Sequence, residues 1–338
     1  TSLSIAMTAV YFGFSYIGEL NFGHYGVGVT LFAGLFILIL APEFYQPLRD
    51  LGTFYHAKQQ AVGAAESIVE FLDTDITKVK SGNIDLASPS SISVEASDLK
   101  VISPEGVELV GPISFTLDPQ QSTALVGPSG AGKTSLINAI LGFMPYEGSL
   151  KINGIELREL DLASWRKQIS WVGQNPLLLH GTIRDNVTLG KQEISESDIH
   201  QALSQSHADE FVNQHGLEYM ISDRSGGLSV GQSQRLALAR AMIQNGQFWL
   251  LDEPTASLDA RSEQLVMQGI NSNIDDKTAL LVTHQLEPLK AVDKILVMQN
   301  GKLLEQGNYQ QLSQAGGLFE EMLSANLAQH NNEGNLDA

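Results

Sequence analysis

Cysteine is absent from the 338 residues, and basic side chains are scarce: 20 Lys and Arg stand against 38 Asp and Glu, a formal charge of -18. The first absence excludes disulfides, thiolate metal sites and a cysteine nucleophile; it agrees with a reducing compartment without requiring one. The second removes the broad positive field on which nucleic-acid binding depends, so nucleic acid is not an expected partner. Charge is missing altogether from two stretches, Thr1 to Gly18 and Val27 to Ala41. Neither an initiator Met nor a basic segment precedes the first stretch, which reads as a chain cut within a helix rather than as a signal peptide.

What those stretches do contain is apolar. Crossing a hydrocarbon core of about 30 Å takes roughly 20 helical residues, so the first run reads as a truncated span and the second as one that continues past Pro42. A pair of buried core helices would show the same composition. The basic residues decide between the two readings, because they favour the cytoplasmic side near span ends: they begin only at Arg49 and Lys58, and the link Glu19 to Gly26 has none. That link is expected on the outer side, and everything after about residue 48 at or beyond the cytoplasmic face. Leu48, Leu51, Tyr55, Ile68, Phe71 and Leu72 recur at helical spacing, which extends the second helix to Asp73. Residues 1–73 are therefore expected to be the end of a membrane domain lying in a lipid bilayer. The stretch 74–93, rich in Ser, Gly, Asp and Pro, is expected to be a linker.

From residue 94 the pattern becomes α/β. Thr123–Val126, Phe248–Leu251 and Ala279–Thr283 are short continuous apolar runs, as parallel strands covered on both faces require. Asn300-Gly301 between two further apolar runs predicts a type I′ hairpin. The predicted domain covers 94–327, with a helical subdomain at about 174–240, and 328–338 is too polar to order itself.

The strongest local motif is GPSGAGKT, comprising Gly127, Pro128, Ser129, Gly130, Ala131, Gly132, Lys133 and Thr134. It fits G-x-x-x-x-G-K-[ST] and lies between a predicted strand and the helix Ser135–Leu141, the setting of a P-loop. Its backbone N–H groups can cradle the phosphates of ATP. Lys133 neutralises charge on the β- and γ-phosphates, and the Thr134 hydroxyl ligates Mg²⁺. Downstream, FWLLDE ends a buried strand in two carboxylates, where Asp252 can hold the same metal and Glu253 can polarise an attacking water.

With these motifs, residues 94–325 resemble the ABC transporter ATPase family, an α/β P-loop fold with a helical subdomain. LSVGQ, Leu228 to Gln232, is similar to that family's signature motif, which implies that Ser229, Gly231 and Gln232 contact the nucleotide held by the opposite subunit. Gln174 in WVGQNP matches the glutamine that senses metal and water. Asp259, in Ser257-Leu258-Asp259, matches the loop that crosses the dimer interface, and His284 in LLVTHQ the histidine that contacts the γ-phosphate. Taken singly, these are also an amide cap, a turn aspartate and a surface imidazole; their order behind a phosphate loop carries the resemblance. Two positions depart from it. Val230 stands where the signature usually has glycine, and Lys100–Pro104 lacks the aromatic that usually stacks on adenine.

The stretch Ala41 to Ile68, with INGIELREL, SWRKQISWVGQNP and GTIRDNV, resembles the D subunits of the bacterial two-subunit ABC exporters needed for cytochrome bd assembly. The resemblance implies an inner-membrane heterodimer with a homologous C subunit, a six-helix membrane domain, ATP hydrolysis with Mg²⁺, and export of cysteine and glutathione to the periplasm. Haem is the alternative cargo: Tyr55 and His56 are residue types that ligate its iron, and Arg49 one that meets a carboxylate, although all three also suit an interface with lipid. A soluble ABC ATPase working on nucleic acid or ribosomes would share every nucleotide motif, and the fused apolar spans argue against it.

Overall fold

The computed structural model describes residues 2–17, 30–73, 81–87, 89–191, 193–222, 227–285 and 288–333, in two compact units, Thr1–Ile76 and Thr77–Ala338. The link Glu19 to Gly26 and residues 74–80 of the expected linker lie outside the described residues.

The first unit holds α1 (Ser2–Ile17) and α2 (Leu31–Asp73). At 1.5 Å per residue, the 43 residues of α2 span about 65 Å, twice a hydrocarbon core. Among the described residues it is the one helix long and apolar enough to cross a membrane. Pro42 and Pro47 lie inside it, each removing one backbone donor from the helix ladder, and large apolar side chains such as Phe32, Ile39, Phe44 and Phe54 remain exposed.

The second unit is built on two sheets. One is antiparallel, in the order β2-β1-β4-β5, from β1 (Val94–Ile102), β2 (Glu108–Leu117), β4 (Tyr146–Ile152) and β5 (Ile155–Glu156). The other runs β12-β11-β3-β10-β9-β6, from β3 (Ser122–Val126), β6 (Ile169–Val172), β9 (Phe248–Asp252), β10 (Thr278–Val282), β11 (Lys294–Gln299) and β12 (Lys302–Gly307). It is parallel except for β12, which folds back on β11. Asn300 and Gly301, both at positive φ (49° and 74°), make that turn, as the Asn-Gly pair predicts. Helix α3 (Lys133–Ile140) and the short α4 (Leu162–Lys167) lie between the sheets, where Trp165 stacks on Phe248 and its indole N–H donates to the Ile140 carbonyl at 2.8 Å.

Residues 178–243 form a separate apolar cluster around α5 (Ile183–Thr188), α6 (Glu196–Gln205), α7 (Asp209–His215) and α8 (Val230–Gln244), joined by the small ribbon of β7 (Gly181–Thr182) with β8 (Met220–Ile221). Helix α9 (Ala260–Ile274) packs on α8, and α10 (Tyr309–Leu312) and α11 (Leu318–Glu333) close the chain.

Two segments differ from expectation. Residues 81–93 are no free linker: Gly82 and Ile84 donate to the carbonyls of Leu160 and Glu159, and Leu86 and Ile92 are buried, so two apolar side chains anchor an otherwise polar strip. Helix α11 also continues through Glu333 into the segment expected to lack order. Its first turns are held by Phe319 in the core, and adding residues to a nucleated helix costs little.

Candidate functional site

Parallel strands deliver their C-terminal ends to one edge of a sheet, and ligands of open α/β sheets bind in the crevice outside those ends. Register places Val282 of β10 beside both Asp252 of β9 and Leu125 of β3, so the segments following these three strands emerge side by side. They are the phosphate loop, Glu253 and His284. Together with Gln174, which follows β6, they line a cleft of about 630 Å³.

The loop needs its glycines for different reasons. At Gly127 (φ 153°) a Cβ would sit 2.1 Å from the Met298 carbonyl oxygen, so the close approach of β11 excludes any side chain. Gly132 (φ 98°) caps α3 and would strike Val110 at 2.7 Å. The Lys133 ammonium donates to the carbonyls of Gly127 (2.7 Å) and Pro128 (3.1 Å), folding its side chain back over its own loop. Burial lowers the pKa of Lys133, with Glu253 and Asp252 opposing that shift. Burial and the adjacent Glu253 raise that of Asp252, with Lys133 opposing. Two neighbouring carboxylates and the Thr134 side chain in one cleft supply oxygen donors of the kind that suit a hard divalent cation, with the Lys133 ammonium beside them.

Glu253 is the hub. Its φ of 47° is left-handed, a strained conformation for a residue with a side chain, and its N–H donates to the Val282 carbonyl at 2.9 Å. Gln174 Nε2 donates to Glu253 Oε2 at 2.8 Å, and His284 Nδ1 lies 3.5 Å from Oε1. Residues from two other strand ends therefore converge on the carboxylate that follows β9.

The remaining candidates do not line this cleft. Ser229 caps α8 in a reciprocal box: its hydroxyl accepts from Gln232 N at 3.1 Å, while Gln232 Oε1 accepts from Ser229 N at 2.9 Å. A Cβ on Gly231 would meet Ser262 Oγ at 2.5 Å, so contact with α9 already requires the glycine. Asp259 caps α9 by accepting from Ser262 N at 3.0 Å, and hydrogen bonding from the Ser262 side chain and then its backbone N–H lowers the Asp259 pKa. Val230 is 52% exposed. The stretch Lys100–Pro104 runs into a tight turn in which Ser103 Oγ accepts from Val107 N. Tyr55 and His56 are exposed on α2 and touch edge to face, and Gln59 donates to the Tyr55 hydroxyl.

Leu109, Ser135, Val282 and Met322 also line the cleft. Leu109 and Met322 carry no chemical signal, and only the fold brings them there.

Residues 110–256 match the model of a family described as ABC transporter. The glutathione/L-cysteine transport system ATP-binding/permease protein CydD of Escherichia coli is 55% identical over 326 residues, 96% of this chain and 55% of that protein. Its counterpart in Haemophilus influenzae is 53% identical over 324 residues, with the same two coverages. A bacterial Atm1-family ABC exporter solved with ATP bound superposes with a TM-score of 0.70 at 25% identity, over 96% of this chain and 56% of that one. This chain thus spans about half the length of the relatives it matches. A phosphate loop, a capped signature segment and a carboxylate-ended strand in that order, within such relatives, lead to one conclusion: the chain carries an ABC transporter ATPase domain and through it belongs to the ABC transporter family.

Proposed function

We propose that the chain is the ATP-driven end of an ATP-binding/permease subunit that exports glutathione and cysteine across the bacterial inner membrane. The observation that carries the hydrolytic part is the convergence of Gln174 and His284 on Glu253, beside Asp252 and Lys133. In this reading Glu253 accepts the proton of the attacking water, Gln174 and His284 hold its carboxylate in place, and Lys133 exchanges its two loop carbonyls for phosphate oxygens. Thr134 and Asp252, with Gln174 beside them, would hold Mg²⁺, which supplies charge neutralisation on the phosphates when bound.

Ser229, Gly231, Gln232 and Asp259 then serve a second nucleotide site. They stand away from the chain's own cleft, yet Ser229 keeps its hydroxyl proton free to donate, since the oxygen only accepts within the cap. A homologous partner subunit, docked head-to-tail, supplies the corresponding signature to this cleft. Helix α2, long enough to cross the bilayer and continue beyond it, carries the motion to the membrane. The nucleotide-binding domain lies in the cytoplasm, because the basic residues begin where α2 leaves its most apolar part. Thiol export and support of cytochrome bd assembly follow the relatives' named transport system and the resemblance of residues 41–68.

The test is uptake into inverted vesicles by the reconstituted full-length pair. ATP-dependent accumulation of reduced glutathione and cysteine, lost on Glu253→Gln, is the expected result. Accumulation of haem in place of thiols would replace the cargo, and ATP-independent uptake would reject the motor.

A further inference from the structure

We infer that Gln234 and Arg240 are positioning residues: they clamp the segment Gly173–Leu177 to α8, so that what Ser229 touches at one nucleotide site sets where Gln174 stands at the other. This rests on the head-to-tail reading above.

The clamp is visible side chain by side chain. Gln234, 1% exposed, donates from Nε2 to the Gly173 carbonyl at 3.0 Å, and its buried Oε1 has no hydrogen-bond partner among the described residues. A half-satisfied buried amide is a poor choice for stability, since an apolar side chain would pack there without leaving an acceptor unpaired. What the amide supplies is a directed bond to the residue next to Gln174. Arg240 holds the other end. Its Nη1 donates to the Leu177 carbonyl (3.2 Å), Nε to the Asn186 carbonyl (2.9 Å) and Nη2 to Asn186 Oδ1 (3.2 Å). Buried Asn186 in turn bonds the Leu179 N–H and carbonyl. Among the described residues no carboxylate lies within ion-pair distance of this guanidinium, so it is spent on two backbone carbonyls and one amide oxygen, and burial lowers its pKa.

Gln174 therefore sits in a segment pinned on both sides to one helix, and it alone reaches Glu253 from there. Ser229 caps that helix, five residues before Gln234, or about 7.5 Å along the axis. A helix is stiff over so short a length, so a shift of its capped end reaches the Gly173 carbonyl nearly undiminished. Engagement of the signature with the partner's nucleotide is thereby read at this chain's own hydrolytic carboxylate.

The full-length pair tests this through kcat and KM for ATP, in the presence and absence of Gln174. Gln234→Met keeps the volume and removes the donor; Arg240→Lys keeps the charge and removes the fork. Each is expected to lower kcat roughly ten- to a hundredfold with KM within about twofold, as misplacement of a reacting geometry does. In a Gln174→Ala background neither is expected to lower it further. The same loss with and without Gln174, or a rise in KM matching the fall in kcat, would overturn the clamp. If Gln234→Met fails to fold, Arg240→Lys decides alone. A pair whose ATPase survived Lys133→Ala in an otherwise wild-type background would instead reject the underlying transport reading, whatever the clamp variants did.

Discussion

The cleft and the signature segment of the same domain are finished to different degrees. Around the cleft, groups from three strand ends already meet, Gln174 bonding Glu253 with His284 beside it, and Lys133 is folded over its own loop. At the signature, the Ser229 and Gln232 side chains each accept from the other's backbone N–H, and Val230 faces outward. On the proposed head-to-tail reading, the first is chemistry for a bound substrate and the second a binding surface for another chain. The difference then teaches that the hydrolytic unit is not the polypeptide: one chain would hold the acid–base groups for its own nucleotide and the phosphate donors for another.

The comparison breaks most visibly on the cleft side. Lys133→Ala removes the single ammonium of the cleft, and loss of such a phosphate contact is expected to cost roughly a thousandfold or more in ATP turnover by the full-length pair. Glu253→Gln keeps the geometry but removes the base, and an ATP-bound, slowly hydrolysing pair is expected, with turnover down roughly a hundredfold or more. Retention of ATP measured after gel filtration separates the two: Glu253→Gln should keep it and Lys133→Ala should not. If both variants released ATP equally, Glu253 would be a binding group rather than a base.

On the signature side the effects are smaller and appear at the partner's nucleotide. Ser229→Ala deletes one phosphate donor, a change worth roughly a hundredfold at a site that depends on it. Turnover of the pair should fall only by the share that site contributes. Val230→Gly is expected to raise turnover by about two- to fivefold, because a branched side chain at the first helical position restricts the backbone and takes up space beside the phosphate. Unchanged turnover in Val230→Gly would show that the exposed valine crowds nothing.

The fold was legible where one residue type does one job. Three apolar runs marked the parallel strands, Asn300-Gly301 marked a hairpin, and GPSGAGKT marked the phosphate loop, because each rests on local physics. The position of the capped signature away from the cleft was legible only through the family resemblance, since a linear order of motifs by itself says nothing about which chain a motif serves. Gln234 and Arg240 were missed for a similar reason. Nothing in SQRLALARAM sets them apart from other polar helix residues, and only the path of residues 173–177 against α8 reveals what buried Gln234 and half-buried Arg240 hold. Ile84, Leu86 and Ile92, large apolar residues in a mostly polar strip, were the available sign that residues 81–93 pack against the domain, and the last two are the ones buried.

The smallest effects separate a cap from a ligand contact. Ser229→Ala removes a helix cap as well as a phosphate donor, at an expected cost of about 1 kcal/mol in stability, whereas Ser229→Asn keeps a capping acceptor. Full stability with low turnover in Ser229→Asn would assign the hydroxyl to nucleotide; restored turnover would reduce Ser229 to a cap. The cap of α9 offers a contrast because it titrates. Hydrogen bonds from Ser262 hold the folded pKa of Asp259 below its unfolded value of about 3.9. Its charged form therefore adds stability that is fully present above that value and is lost as pH falls through the lower, folded one. Asp259→Asn leaves a neutral cap, so the gap in melting temperature between wild type and variant should be constant from neutral pH down to about pH 4 and close below it. A gap that stayed open in acid would mean that the charge of Asp259 serves nothing in the free subunit, leaving its role to the partner's nucleotide.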